Sequence, residues 1–230
     1  MENITYCNFK KRIDECSAVI FPIGAFEQHG PAATLGTDYY IASYLAEQIS
    51  ERTNIMYIPC LPFGYSVIHS NFPGTISLSK KLYFDIINSI ITELEKNNVS
   101  KIIIINGHGG NIRPIKRIIE HSNICFLQWF ELIGNKYFEN EHKSHAGSEE
   151  LSLLAAIKSE YVDEEKIENR DPSKMNIVWK ELQPEERKTE YYTENGVYCY
   201  ADKYSKELGQ RILADVVDIM VEKINIFLNA

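Results

Sequence analysis

Lys101-Ile102-Ile103-Ile104-Ile105-Asn106 constrains this chain more than any other segment. Four consecutive isoleucines do not suit a strand with one wet face. They read as a strand covered on both sides, as in a parallel sheet between helical layers. Three more runs have this character: Ala18–Ile23, Ile55–Pro59 and Asn123–Trp129. Between them lie stretches of helical spacing: Tyr39–Arg52, Lys81–Asn97 (apolar at Leu82, Ile86, Ile90 and Leu94) and Arg113–His121. Helical patterns return at Glu149–Ser159 and Tyr204–Leu228. Strands alternating with helices predict an α/β fold of three layers, with a mostly parallel sheet flanked by helices. A chain of 230 residues, 44% apolar, is long enough for one large core, so a single domain over 1–230 is expected. Residues 161–194 are rich in charge and poor in periodicity, and read as an irregular excursion or lid.

Charge and composition narrow the function. A net charge of −8 repels phosphates and argues against a nucleic-acid partner. No apolar run approaches the ~20 residues that span a bilayer, and Met1 to Cys16 lacks a signal-peptide pattern. The expected location is cytoplasmic, with no membrane partner. The five cysteines show no CxxC spacing and read as reduced thiols, not metal ligands.

Polar clusters follow three of the strands, where a parallel sheet gathers its ligands. In the first, Glu27-Gln28-His29, the carboxylate and imidazole lie two residues apart and share one side of extended backbone. Asp38 follows Leu35-Gly36-Thr37; it reads either as a carboxylate able to bridge two cations or as the N-cap of the next helix. The second cluster, Asn106-Gly107-His108-Gly109-Gly110-Asn111, sets glycines around one histidine. Glycine permits φ > 0 and close approach of the backbone while His108 points into a site. Lacking a Gly-Lys-Ser/Thr ending, it fits a metal better than a phosphate. In the third, His145-Ala146-Gly147-Ser148-Glu149-Glu150, Ser148 reads as an N-cap. Glu150 shares an apolar helical face with Leu153, Leu154 and Ile157, while Glu149 falls on the more exposed side. A carboxylate facing inward needs a cation partner; the plainer alternative is charge complementing the helix dipole. The combined set suits Zn, Mn or Fe(II) and is typical of hydrolytic sites.

These residues resemble the creatininase family. Pro22–Pro31 followed by Leu35–Asp38 is similar to its first metal-binding block, and His69-Ser70-Asn71-Phe72-Pro73-Gly74-Thr75 to its H-x-x-F-P-G-T block. Asn106–Asn111 is similar to N-G-H-G-G-N, His145–Glu150 to H-A-G-x-x-E, and Glu194–Val197 also fits. The resemblance implies an α/β domain, assembly into hexamers, and two divalent ions hydrolysing a non-peptide C–N bond of a small-molecule amide. Carried over by position, Glu27, His29, Asp38, His108 and Glu150 become metal ligands with Asp38 as the bridge. His145 becomes the acid or base beside the substrate, protonating the leaving nitrogen with a pKa near neutral. Gln28, or the N–H groups of Gly109 and Gly110, would hold the oxyanion.

Two departures point away from creatinine. Gly110 stands where creatininase has a glutamate ligand. Trp129 matches the first of its two site tryptophans, but Glu141 and His142 stand near the place of the second. The glycine form is more similar to relatives that deformylate a pyrimidine nucleotide precursor or trim a peptide in cofactor maturation. The rival readings are a binuclear phosphoesterase, for which only Arg113 is placed to bind phosphate, and a catalytically silent metal-binding scaffold. Arg113, Lys116 and Arg117 read either as a phosphate contact or as a solvated helix face. His69 either lines the site or belongs to a folding turn.

Overall fold

The structure, a computed structural model, describes residues 4–139, 144–171, 188–191 and 193–230. Four strands, β1 (Ala18–Ile23), β2 (Met56–Tyr57), β3 (Lys101–Asn106) and β4 (Ile124–Gln128), form a parallel sheet in the order β2-β1-β3-β4. Around it lie α1 (Tyr6–Glu15), α2 (Thr37–Thr53), α3 (Lys80–Lys96), α4 (Ile112–Ile115), α5 (Trp129–Leu132), α6 (Ser148–Ile157) and α7 (Lys206–Asn229).

The isoleucine run shows why the strands are buried twice. Ile103 and Ile105 pack with Ile41, Leu45 and Ile49 of α2 and Ile212, Val216 and Met220 of α7. Ile102 and Ile104 pack on the opposite side with Tyr83, Ile87 and Ile91 of α3. Strand alternation splits one apolar run between two cores. From β1 the chain steps out to β2 and then crosses to β3 on the other side of β1. The carboxyl ends of β1 and β3 therefore flank a topological switch point, where parallel sheets bind ligands.

Several local expectations are corrected. The buried stripe of α3 is Tyr83, Ile87, Ile91 and Leu94; Leu94 is as predicted, while the first three lie one residue on from the predicted phase, and Leu82 is 49% exposed. The Arg113–His121 helix shrinks to Ile112–Ile115, and the chain then turns through bonds such as Ile118 N–H to Ile115 O. Pro114 lacks an N–H, and the β-branched Ile115, Ile118 and Ile119 stiffen this stretch. β2 shortens to Met56–Tyr57, although Ile58 N–H still bonds Ile20 O and Leu61 N–H bonds Pro22 O. The helix α1, capped by Thr5, was not expected. Of the 161–194 excursion, residues 172–187 and 192 lie outside the described residues, as do Glu141 and His142. No helix among the described residues is long and apolar enough to cross a membrane.

Candidate metal centre

Every strand end delivers to one place. The loop after β1 carries Glu27, Gln28 and His29, and the first turn of α2 carries Asp38. The loop after β2 brings Tyr65, Ser66 and His69, and that after β3 brings His108. Asp38 is not an N-cap. Gly36 holds that position, so Asp38 is the second residue of the helix and is buried. Gly107 and Gly110 are needed for close approach and not for left-handed backbone, since neither has positive φ, whereas a Cβ on Gly109 would meet open space. A Cβ on Gly107 would lie 2.3 Å from Asp38 O, and one on Gly110 would lie 2.3 Å from both Tyr65 O and His108 Nε2. Two buried asparagines shape this loop. Asn106 Nδ2 donates to His108 O at 2.7 Å, and Asn111 Nδ2 donates to Gly24 O at 3.0 Å while its Oδ1 accepts Tyr65 N–H at 3.0 Å.

At the centre, carboxylates and imidazoles interleave. Asp38 Oδ1 lies 3.3 Å from His29 Nε2, and Oδ2 lies 3.2 Å from His108 Nδ1. Glu27 Oε2 is 3.3 Å from His108 Nε2, and Glu150 Oε2 is 3.7 Å from His29 Nε2. Each imidazole is oriented by a backbone carbonyl. Glu27 O sits 3.1 Å from His29 Nδ1, and Tyr65 O sits 3.1 Å from His108 Nε2. A carbonyl only accepts, so these nitrogens bear the protons, and His29 Nε2 and His108 Nδ1 face the carboxylates.

The buried carboxylates and imidazoles shift one another's pKa values. Burial pushes the Glu27 carboxyl up to about 7, against the pull of His108. Burial alone would lower His29 and His108, but Asp38 and Glu150 hold His29 up to about 10, and Glu27 and Asp38 hold His108 up to about 9. Burial also opposes the Asp38 charge, yet His29 and His108 hold its carboxyl below the usual range. Burial raises Glu150. Glu27 Oε1 and Oε2, His29 Nε2 and Asp38 Oδ2 are buried without a hydrogen-bond partner among the described residues. Such orphaned atoms are costly unless a cation takes them. Three groups bring their donor atoms within 4.8 Å of one another: Glu27, Asp38 and His108; His29, Asp38 and Glu150; and Glu27, His29 and His145. Each could hold a divalent ion, and Asp38 belongs to the first two.

A second tier surrounds Gln28. Its Nε2 lies 3.0 Å from His69 Nδ1, 2.7 Å from His145 Nε2 and 3.2 Å from Gly196 O, and its Oε1 accepts Gly30 N–H at 2.9 Å. The amide is thus engaged within the protein. His69 is buried, stacks on His145 at 4.1 Å and faces Glu27 Oε1 at 3.4 Å, so it belongs to the site. His145 is not near neutral as expected. Burial, then the imidazoles of His69, His29 and His108, push its pKa well below the usual value.

A cavity of about 460 Å³ opens on this centre, walled by Ile68, Trp129, Phe130, Ser144, Glu149 and Tyr198. Glu149 is buried, contrary to its expected exposure, because the whole of Leu151–Ala155 is buried and α6 has no wet face there. Ser148 is not the N-cap but the first helical residue; Gly147 holds the cap position. Arg113, Lys116 and Arg117 are exposed and do not line the cavity. Thr189 and Tyr198 escaped the sequence reading. Thr189 Oγ1 lies 2.7 Å from His69 Nδ1, 2.9 Å from Tyr198 Oη, and donates to Ile68 O. Thr189 follows a stretch without periodicity and reaches across 120 residues to His69, so no local signal marks it; Tyr198 lies two residues after the noted Gly196.

Fold and site together define an α/β protein with a buried carboxylate–imidazole centre for divalent cations at the switch point of its sheet. The chain belongs to the creatininase family, whose model, described as creatinine amidohydrolase, matches residues 2–224. It is 26% identical over 186 residues to the 3-dehydro-scyllo-inosose hydrolase of Thermotoga maritima; the match covers 74% of this chain but 60% of that longer relative. It is 29% identical over 226 residues to the 2-amino-5-formylamino-6-ribosylaminopyrimidin-4(3H)-one 5'-monophosphate deformylase of Methanocaldococcus infernus, covering 91% of each. The mycofactocin precursor peptide peptidase of Mycobacterium ulcerans is 24% identical over 221 residues, covering 90% of this chain and 84% of that one. A glutamate-to-glutamine mutant creatininase of Zn-Zn type and a manganese creatininase share the fold, with TM-scores of 0.85 and 0.84 at 21% and 20% identity, each over 97% of this chain and 96% of theirs.

Proposed function

We propose that this protein is a metal-dependent amidohydrolase that cleaves a non-peptide C–N bond in a small cyclic amide or formamide. The observation that carries the reading is the set of buried atoms on Glu27, His29 and Asp38 without a hydrogen-bond partner among the described residues, with Glu27 and Asp38 lining a cavity. Glu27, Asp38 and His108 would hold one ion, and His29, Asp38 and Glu150 a second. When bound, two divalent ions (Zn, Mn or Fe(II)) supply Lewis-acid polarisation of a carbonyl and of water.

The rest is done by the chain. Trp129 and Phe130 wall the cavity and exclude water from the reacting centre; a planar amide matches their rings. Gly109 and Gly110 lie at the same wall, and their N–H groups are candidates to hold negative charge on the substrate oxygen. His145, whose pKa burial and the neighbouring imidazoles push well below its usual value, stands beside the substrate as a hydrogen-bonding group. Gly110 leaves this site without the extra carboxylate that creatininase places there, so Glu150 must complete the ligand set.

A peptide-trimming activity is the second reading, favoured by the likeness to the mycofactocin precursor peptide peptidase. A cavity of about 460 Å³ favours the small amide. The test is turnover of metal-loaded protein on a panel of formamides, cyclic amides and short peptides, with His29→Ala as control. Release of amine or formate, lost in the control, supports the amidohydrolase. Cleavage of peptides alone moves the assignment to the second reading, and no turnover by fully loaded protein favours a silent scaffold.

A further inference from the structure

We propose that Gln28 is a positioning residue that fixes the tautomer of His145, so that His145 meets the reaction cavity through Nδ1–H. The catalytic consequence rests on the amidohydrolase reading; the tautomer itself does not.

The inference follows from which atoms can donate. The Gly30 N–H can only donate, so the Gln28 atom 2.9 Å from it is the carbonyl oxygen, and the amide orientation is fixed. The Gly196 carbonyl can only accept, and it lies 3.2 Å from Nε2, which agrees. An amide nitrogen has two hydrogens and no lone pair to offer, and of its three neighbours His145 Nε2 is nearest, ahead of His69 Nδ1 at 3.0 Å and the Gly196 carbonyl. His145 Nε2, 2.7 Å away, must therefore present its lone pair, since two N–H groups at that distance would repel. A neutral imidazole then carries its proton on Nδ1, which lies 3.6 Å from Glu27 Oε1 at the floor of the cavity. Backbone geometry reserves the space for this device. Gly196 has φ +84°, and a Cβ there would lie 1.8 Å from Gln28 Oε1. Stacking of His69 on His145 at 24° between ring planes holds the ring in this pose.

The pose gives His145 one role toward substrate. It donates from Nδ1 and has no lone pair on the cavity side, so it favours a substrate atom that gains negative charge. Gln28 acts through His145 and touches no substrate itself.

The test is a two-bond proton–nitrogen correlation spectrum of zinc-loaded protein labelled with ¹⁵N-histidine, the His145 ring being assigned from its loss in His145→Ala. The expected result is a protonated Nδ1 and a bare Nε2. Gln28→Glu, whose carboxylate can only accept, should move the proton to Nε2 with zinc content unchanged. Turnover should then fall about 100-fold, the usual scale for a lost proton-donor contact. A wild-type His145 protonated on Nε2, or a Gln28→Glu spectrum unchanged at His145, would overturn the proposal. If Gln28→Glu does not fold, the wild-type spectrum alone decides. The spectrum needs no substrate, so failure of the amidohydrolase reading and failure of the tautomer assignment are separate results.

Discussion

Asp38 is the residue on which the centre turns, because its two oxygens face two imidazoles, His29 and His108. Asp38→Asn keeps the size and removes the charge. The expected outcome is metal content below half of wild type with an unchanged far-ultraviolet dichroism spectrum; full metal content would remove Asp38 from both ligand groups. Thr189 is a different kind of residue, fully buried and bonded to His69, Tyr198 and the Ile68 carbonyl. Thr189→Val keeps the shape and leaves those partners short of a bond, a loss of about 1–3 kcal/mol. Denaturant unfolding should show that decrease, and a midpoint equal to wild type would mean the segment around Thr189 is not held against His69.

The elements explain which parts of this architecture could be read in advance. β1, β3 and β4 were legible because a doubly covered strand leaves a continuous apolar run, and Ile102–Ile105 has no other sensible place. Most of the candidate ligand residues could be singled out because they follow such strands on the carboxyl side, in loops that a parallel sheet gathers at one edge. The phase of α3 was not. Leu82 and Tyr83 are both apolar, and only the packing of Tyr83, Ile87 and Ile91 against the sheet selects the second. Glu149 was misplaced for a related reason: amphipathic reasoning assumes one wet face, and α6 is covered by α2 and α7. That crossing is tight, since a Cβ on Gly209 of α7 would lie 1.9 Å from Ser152 O of α6. Helix propensity favours Gly209→Ala by about 1 kcal/mol, but forcing the two backbones apart costs about 1–3 kcal/mol and more when backbone is the obstacle. The clash should win, with a lower melting temperature and, because α6 carries Glu150, weaker metal retention. A variant as stable as wild type would contradict the close crossing.

At the scale of the whole molecule, the centre couples metal, protons and stability. Without metal, His29 and His108 hold protons more tightly when folded, up to about 10 and 9 against the usual 6.5 of histidine. Their contribution is fully present below about 6.5 and is lost as pH rises through 9 to 10. Glu27, raised from 4.5 to about 7, slopes the same way at lower pH. Chelator-treated protein should therefore melt at falling temperature from about pH 7 to pH 10, while metal-loaded protein should not. An unchanged melting temperature in the chelator-treated sample would show that these imidazoles are not held protonated in the fold. Loading at pH 8 should also release about two protons per chain, since ligands bind deprotonated; calorimetry in buffers of different ionisation enthalpy counts them. The most direct measurement is elemental mass spectrometry of metal per chain on protein prepared without chelators and reconstituted with zinc or manganese. About two equivalents in the wild type, falling sharply in Asp38→Asn, is the predicted result. A single equivalent would contradict the paired site, and none after reconstitution would contradict the metal centre itself.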